Sequence, residues 1–560
     1  MTKSFETAVE QLTQPGSPFE MDTIDIRGVE TRVFKNAPES LRAIFETARA
    51  RGDETFLVYE DERWSFGDVM RHVDALSALL LERYDVQPGD RVAISMRNYP
   101  EWIISFAAIT SIGGISVSMN AWWTEDETRY GLEDSGAKVV IADPERARLS
   151  ASTLADRGGR LLVVRSGDGE VPPGADRLED VLPLGSSMPA VEIDPDQDAT
   201  ILYTSGTTGF PKGAVSTHRA VTNALTSFAC SAMIHAIRFP KDTAQAAANP
   251  TSFILIVPLF HVTGAIPVMM SCFTAGYKLV MMYKWDPSRA LELIEREKVT
   301  RFVGVPTQSW DLLESPDFAS RDTSSLTNVG GGGAPAPPEL VKRIEGSFER
   351  GRPGIGYGMT ETTAYGPQNS GDDYLRKPQS AGRPAPVMEL RVTDPDDNVL
   401  GPNEIGELWF RGPMLIRGYW NKPEATAETI VDGWLRTGDL GMIDEEGFVY
   451  VQDRAKDMVL RAGENVYCAE VEAAIYEHEA VYEAAVYGLP HERLGEEVAV
   501  SVVLRADAEL DEHGLREHLQ VRIAAFKIPS VVDFRRDQLP RGATGKILKR
   551  QLRDEIAAER

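Results

Sequence analysis

From residue 91 onward, short apolar runs recur between longer stretches whose apolar positions fall at helical spacing. RVAISM (91–96), KVVIAD (138–143), RLLVVRS (160–166) and ATILYTS (199–205) form one series. SFILIVPL (252–259), YKLVMMYKW (277–285), TRFVGVPT (300–307) and GIGYG (354–358) form a second. Short runs of this kind, bounded by turn residues, predict strands buried on both faces. Their interleaving with helices predicts parallel sheets covered by helices.

The pattern changes after about residue 383. MELRVTD, IGELWFRG and GFVYVQD alternate apolar with polar positions and are separated by Asp, Gly and Pro. That alternation predicts antiparallel sheet or a small barrel. Past Asp453 a new unit begins, with a strand, an amphipathic helix around 470–477, the strands AAVYGL and VAVSVVL, another helix, and VVDFRR. The expected architecture is a large α/β N-terminal domain (1–453) and a small α+β C-terminal domain (454–560). The large domain is expected to hold two parallel-type sheets with helices plus a small antiparallel β-barrel. The stretch 182–198 is expected to be a surface connection.

One segment tests the soluble reading. Residues 243–277 carry no Asp, Glu, Lys or Arg, and the span is long enough to cross a bilayer. Pro258, His261, Gly264 and Pro267 break it into short pieces. It is expected to be a buried strand (252–257), a loop and a core helix. The N-terminal residues have no apolar core, so no signal peptide is expected.

Composition narrows the partners. The 560 residues exceed one core and suggest roughly three or four domain-sized units. A net charge of −26 argues against binding to nucleic acid or to anionic lipid. Cys230, Cys272 and Cys468 lie far apart, with neither zinc spacing nor a disulfide framework, which fits a cytoplasmic protein.

Candidate chemistry begins at YTSGTTGFPKG (203–213). Pro211 stands where Walker A needs its second glycine, and Gly213 follows Lys212, so no P-loop NTPase is implied. Thr204, Ser205, Thr207 and Thr208 still offer hydroxyls, Gly206 and Gly209 admit close backbone approach, and Lys212 adds charge. A glycine-rich turn without a ligand is the plain alternative. NVGGGGAPAP (328–337) sacrifices backbone entropy at a strand end, either for a planar ring lying on backbone or for a tight turn. In GYGMTET (356–362), Tyr357 offers an aromatic face, Thr360 a hydroxyl and Glu361 a hard carboxylate suited to Mg²⁺. WLRTGDLG is expected to set Asp439 in a Gly-flanked turn, where it can accept from two ribose hydroxyls. PRGATGKILKR (540–550) sets Lys546 in a glycine-rich loop.

These segments, in this order over nearly the whole chain, resemble the signature motifs of the adenylate-forming superfamily. That superfamily contains acyl- and aryl-CoA synthetases, non-ribosomal peptide adenylation domains and beetle luciferases. The resemblance implies an AMP-forming acyl-CoA synthetase that uses ATP, Mg²⁺ and coenzyme A. By it, Thr204, Ser205, Gly206, Thr207, Thr208, Gly209 and Lys212 cradle the β- and γ-phosphates. Gly331, Gly332, Gly333, Ala334, Pro335, Tyr357, Gly358 and Met359 hold the adenine side. Thr360 bonds the α-phosphate, Thr204 and Glu361 carry Mg²⁺, and Asp439 with Arg454 binds ribose. His261 in PLFHVTG lies beside the acyl pocket; a satisfied structural histidine is the alternative. Lys546 bridges the carboxylate and the α-phosphate. Lys456 is the hinge about which the small domain rotates, and Gly463 and Glu464 then meet CoA. Ala462 departs from the family, where many relatives carry glycine, and its methyl is expected to narrow the CoA tunnel.

The acyl pocket is expected to include Met269, Val303, Val305 and Trp310, an apolar and adaptable lining. No arginine or lysine is expected there to pair with a second carboxylate. A medium- or long-chain fatty acid is the first expectation for the substrate, and an aryl or cyclic acid the second. An acyl-AMP ligase serving a separate carrier protein is a rival, since no carrier domain is expected on this chain. No nucleic-acid partner and no transmembrane segment are expected, and the oligomeric state, a homodimer included, stays open.

Overall fold

The computed structural model describes residues 3–204, 211–240, 249–462 and 464–559. Two eight-stranded sheets dominate the first four hundred residues or so. In the first, the strands Asp198–Thr204, Ile115–Ser118, Arg91–Ser95, Val139–Ala142 and Arg160–Val163 run parallel side by side. Every residue of Ile115–Ser118 and Val139–Ala142 is buried, as expected of strands covered on both faces. In the second, the parallel run is Arg352–Gly356, Asn328–Gly332, Arg301–Gly304, Ser252–Leu255, Lys278–Met281 and Thr55–Tyr59. Antiparallel strands close both edges of the second sheet and one edge of the first. Glu62–Ser65 caps one edge of the second sheet, and Lys212–Thr217 folds back on Asp198–Thr204 in the first.

The early strands were not legible in the apolar pattern. Met21–Ile26 pairs with Val29–Phe34 as an isolated hairpin, and Thr55–Tyr59 joins the second sheet from far upstream. The hairpin is half exposed, so it lacks the continuous apolar run of a central strand.

The uncharged stretch folds as a strand, Ser252–Leu255, and a wide helical turn, Gly264–Met270, that continues as Ser271–Ala275. Residues 241–248 lie outside the described set. By length and apolarity the candidate for a membrane span is a different element, the helix His218–Arg238, with mean hydropathy 1.3. Half of it is buried in the protein. Leu225, Phe228, Ser231 and His235 on another of its faces line a cavity, so packing within the chain accounts for its apolar character.

The third sheet is antiparallel: Glu389–Thr393, Gly406–Arg411, Trp434–Ile443, Val449–Arg454 and Ile430–Val431. Its pairings follow an open path rather than a closed ring. The fourth contains Val459–Arg461, Glu464–Val466, Val481–His491, Gly495–Leu504 and Val531–Arg535, with its own apolar core beneath the helices Cys468–Tyr476 and Glu512–Gln520. Residues 455–458 carry the chain from the third sheet to the fourth. The architecture is thus a large α/β N-terminal domain followed by a smaller α+β C-terminal one.

The small domain docks on the helix Pro306–Glu314. The Tyr482 hydroxyl donates to Asp311 at 2.6 Å, Arg505 pairs with Glu314, and Thr307 donates to the Gly545 carbonyl at 3.4 Å.

Candidate active site

A cavity of about 2620 Å³ lies between the two domains and runs on beneath the helix His218–Arg238. It gathers residues that are far apart in sequence.

The hairpin pairing Thr204 with Lys212 sets the mouth of the first loop. Thr204 and Lys212 both line the cavity, and the Lys212 ammonium sits 5.1 Å from the centroid of the Tyr419 ring. Ser205, Gly206, Thr207, Thr208, Gly209 and Phe210 lie outside the described residues.

The glycine run answers to its neighbours before any ligand. A Cβ on Gly331 would lie 2.4 Å from the Gly304 carbonyl oxygen, and one on Gly332 2.6 Å from that of Gly356. Gly333 takes φ +77°, which an L side chain resists. Gly331, Gly332, Gly333, Ala334 and Pro335 all line the cavity, as do Tyr357, Gly358 and Met359. Side-chain-free backbone is therefore presented to the cavity as a by-product of tight strand packing.

Thr360 and Glu361 form a single tight turn, Thr360–Thr362. Glu361 is buried, and its Oε1 accepts from the Tyr419 hydroxyl at 2.7 Å. Burial raises its pKa, and the Tyr419 bond offsets that in part. The Glu361 backbone N–H also supports the carboxylate. Among the described residues no three His, Cys, Asp or Glu side chains cluster as a metal cage. One buried carboxylate facing the cavity suits a hard cation whose remaining ligands are phosphate and water. Glu361 and Thr204 therefore fit Mg²⁺.

Asp439 does not sit in a turn. It lies within the strand Trp434–Ile443, at an irregularity where Gly406–Arg411 advances from Glu407 to Trp409 while its partner runs from Leu440 back to Arg436. Gly438, at φ +71°, makes the bulge, and its N–H donates to Glu407 at 3.0 Å. The bulge re-aims Asp439 at the cavity, where it accepts from the Tyr357 hydroxyl and lies 3.5 Å from Arg454 Nε. Burial raises its pKa, against the pull of Tyr357 and Arg454.

His261 follows the strand Ser252–Leu255 and lines the cavity. Its Nδ1 accepts from the Thr263 N–H at 3.3 Å, which leaves the neutral ring's proton on Nε2. Burial, then the Lys546 charge, brings its pKa down to about 4, so it stays neutral. Gly264 is a structural necessity, because a Cβ there would lie 2.2 Å from the Pro258 carbonyl.

Lys546 ends a tight loop in which the Gly542 N–H donates to the Lys546 carbonyl at 2.9 Å. It lines the same cavity as Thr360, Glu361, Asp439 and His261. Burial and the nearby Arg454 lower its pKa to about 8, although Asp439 and Asp457 work to raise it.

One expected pocket residue stands elsewhere. Met269 is fully buried in the core and is not among the cavity walls. Its helix turns Pro267, Ser271 and Thr274 to the cavity instead, a spacing of one helical face. Trp310 lines the cavity from the docking helix, with Arg343 at 5.0 Å and Arg505 of the small domain at 5.4 Å from its ring. Val303 and Val305 do line the cavity. The expectation of a wall without a cation fails. Arg301, two positions before Val303, faces the cavity too, and the alternation in TRFVGV was the missed signal. Lys456 lies exposed in the turn between the third and fourth sheets. Glu464 is an exposed strand residue away from the cavity, and Gly463 lies outside the described residues.

A family model described as AMP-binding enzyme matches residues 44–420, and one described as AMP-binding enzyme C-terminal domain matches 470–546. The chain is 34% identical over 548 residues to a long-chain-fatty-acid–CoA ligase of Bacillus subtilis, covering 92% of this chain and 94% of that one. It is 35% identical over 491 residues to a feruloyl-CoA synthase of an Amycolatopsis species, covering 87% and 93%. The solved structure of ATP-bound MatB from Rhodopseudomonas palustris superposes with a TM-score of 0.80 at 29% identity, covering 92% of this chain and 99% of that one. Matches of this extent, over both the large part and the small, make the chain a member of the AMP-binding enzyme family.

Proposed function

We infer that the chain is an AMP-forming acyl-CoA ligase working by domain alternation. The carrying observation is that Lys546, from the small domain, shares one cavity with Thr360, Glu361, Asp439 and His261 of the large one. In the first half-reaction a carboxylate oxygen bonds to the α-phosphorus of ATP and pyrophosphate leaves. Lys546 and Lys212 supply positive charge where two anions must meet. Asp439, already accepting from Tyr357, offers its carboxylate to ribose. Neutral His261 offers an Nε2–H donor beside the acid. Magnesium held by Glu361 and Thr204 would screen the phosphates from the attacking carboxylate. In the second half-reaction the CoA sulfur bonds to the acyl carbon and AMP leaves.

We assign residues 1–453 to the large domain and 454–560 to the small one, with the hinge at Lys456. In support, Lys456 is exposed in the short link between two separately cored sheets. Rotation there would withdraw Lys546 and bring the segment around Gly463 and Glu464 to the site.

For the acid, a medium- or long-chain aliphatic carboxylate is the first reading. Its support is the depth of the cavity beneath the helix His218–Arg238 and the likeness to a long-chain-fatty-acid–CoA ligase. An aryl acid is the second reading, favoured by the likeness to a feruloyl-CoA synthase. Three buried free cysteines support a cytoplasmic location. A homodimer stays within this reading, and sedimentation would decide it. The deciding assay is pyrophosphate release across a carboxylate panel, with CoA or an acyl carrier protein as acceptor. CoA-dependent turnover supports the ligase. Turnover only with the carrier protein replaces it by an acyl-AMP ligase.

A further inference from the structure

The far end of the cavity holds a cation that the reaction does not use. Arg301 opens the strand Arg301–Gly304, whose residues alternate in direction. Phe302 goes into the core, while Arg301 and Val303 line the cavity. In register, Arg301 lies between Phe253 on one neighbouring strand and Asn328 on the other, and all three reach the cavity. The guanidinium carbon lies 5.9 Å from the Phe253 ring centroid. The Tyr277 ring stacks on Phe253 at 6.0 Å with 19° between planes, and it too lines the cavity.

Among the described residues Arg301 makes no ion pair and no hydrogen bond, and neither the Tyr277 hydroxyl nor the Asn328 amide is hydrogen-bonded. Burial lowers the Arg301 pKa, and Tyr277 and Cys272 only partly offset it. A guanidinium withdrawn from water without a counter-charge is costly, and the cost falls when an anion arrives. Glycines flank the amide. A Cβ on Gly330 would lie 3.0 Å from Asn328 Oδ1, and one on Gly354 3.0 Å from Asn328 Nδ2. The wall toward the reacting end is apolar, through Val303, Leu225 and Phe228. Val305, at that end, would lie 3.1 Å from a Cβ on Gly545, the neighbour of Lys546. From Val305 back to Arg301 the strand spans about 13 Å.

We propose that Arg301, Tyr277 and Asn328 form a subsite for a second carboxylate, so that the acid activated here carries acidic groups at both ends of an apolar chain. The guanidinium presents a planar fork of donors, and the phenol and amide add one donor each, a set matched to carboxylate. This rests on the acyl-CoA ligase reading and narrows its substrate.

The test pairs octanoic, decanoic and dodecanoic acids with suberic, sebacic and dodecanedioic acids, following pyrophosphate release by the full-length enzyme with ATP and CoA. The dicarboxylate of best length is expected to exceed its monocarboxylate partner by about tenfold to a hundredfold in kcat/KM, mostly through KM. Its optimum in length should be sharp, because the far group must reach Arg301. Arg301→Met is expected to erase or reverse the ratio, Arg301→Lys to keep part of it, and Tyr277→Phe to lower it less. Thermal unfolding checks that each variant folds, and Tyr277→Phe serves if Arg301→Met does not. Turnover of monocarboxylates equal to or better than that of dicarboxylates overturns the subsite and leaves the ligase standing. So does an unchanged ratio in folded Arg301→Met. Absence of pyrophosphate release with every acid overturns the ligase reading and the subsite with it.

Discussion

Lys546 and Lys549 stand close together in sequence and both line the cavity, yet the fold treats them oppositely. Burial depresses both. For Lys549, Glu472 at 2.7 Å, with Cys468 and Asp453 beyond, more than restores the charge and raises the pKa. For Lys546, burial and Arg454 prevail over the more distant Asp439 and Asp457, and the pKa falls to about 8. The difference lies in the partner. A lysine with its carboxylate in place is a strut, whereas one held near acids but bonded to none is open to a ligand. Arg301 belongs with Lys546 in this respect, and Arg417, which Asp198 holds at 2.7 Å, belongs with Lys549.

The sharpest way to break the comparison is to remove each lysine. Lys546→Ala is expected to slow adenylation about a hundred- to a thousandfold, roughly 3–4 kcal/mol of lost charge stabilisation. It should still convert supplied acyl-AMP and CoA to thioester and should unfold no earlier than the parent. Lys456→Pro, which fixes φ at the hinge, is the mirror case and should adenylate but fail at thioester formation. Half-reaction assays of both variants decide. Equal loss of both halves in folded Lys546→Ala would end the domain-alternation reading.

Lys549→Met comes next. It leaves Glu472 with only the Val486 N–H as partner and should lower stability by about 1–3 kcal/mol, between the values for exposed and for buried pairs. Urea unfolding measures it. A variant of full stability but without adenylation would make Lys549 a second functional lysine.

The pH profile gives a third test. With its pKa lowered, Lys546 carries charge below about 8 and loses it above. Adenylation kcat/KM should therefore fall as pH rises through about 8, approaching tenfold per unit. Bound ATP should move the limb upward in kcat. A profile flat up to pH 10 would mean that Lys546 has a closer carboxylate in solution.

The smallest effect concerns backbone. Ala462 takes φ +53°, the left-handed region, in the turn that precedes Glu464–Val466. Ala462→Gly should stabilise the protein by up to about 1 kcal/mol, the gain in relieved strain being offset by glycine's entropy. An accompanying drop in KM for CoA would show that the methyl also narrows the thiol's path. Calorimetry and CoA kinetics separate the two.

The sequence by itself determined the central strands of the two large sheets, though not the early strands before residue 66. Buried parallel strands need unbroken apolar runs, and VVIA or FIL has no other use in a soluble chain. It also pointed to the family, because hydroxyls, glycines and a lysine recur in the family's order. Which way those residues point was decided by tertiary structure. Asp439 looked like a turn residue because Gly438 and Gly441 flank it, but strand pairing made it a bulge. Met269 was apolar in the right neighbourhood, yet packing turned it into the core, while Trp310 does reach the cavity. Arg301 shows the same limit from the other side. Local periodicity says that it shares a face with Val303, but only the packed helix His218–Arg238 makes that face the wall of a cavity. The depressed pKa of Lys546 and the raised one of Lys549 are likewise products of assembly. Burial and charge partners are sums over distant segments, and no stretch of chain contains them.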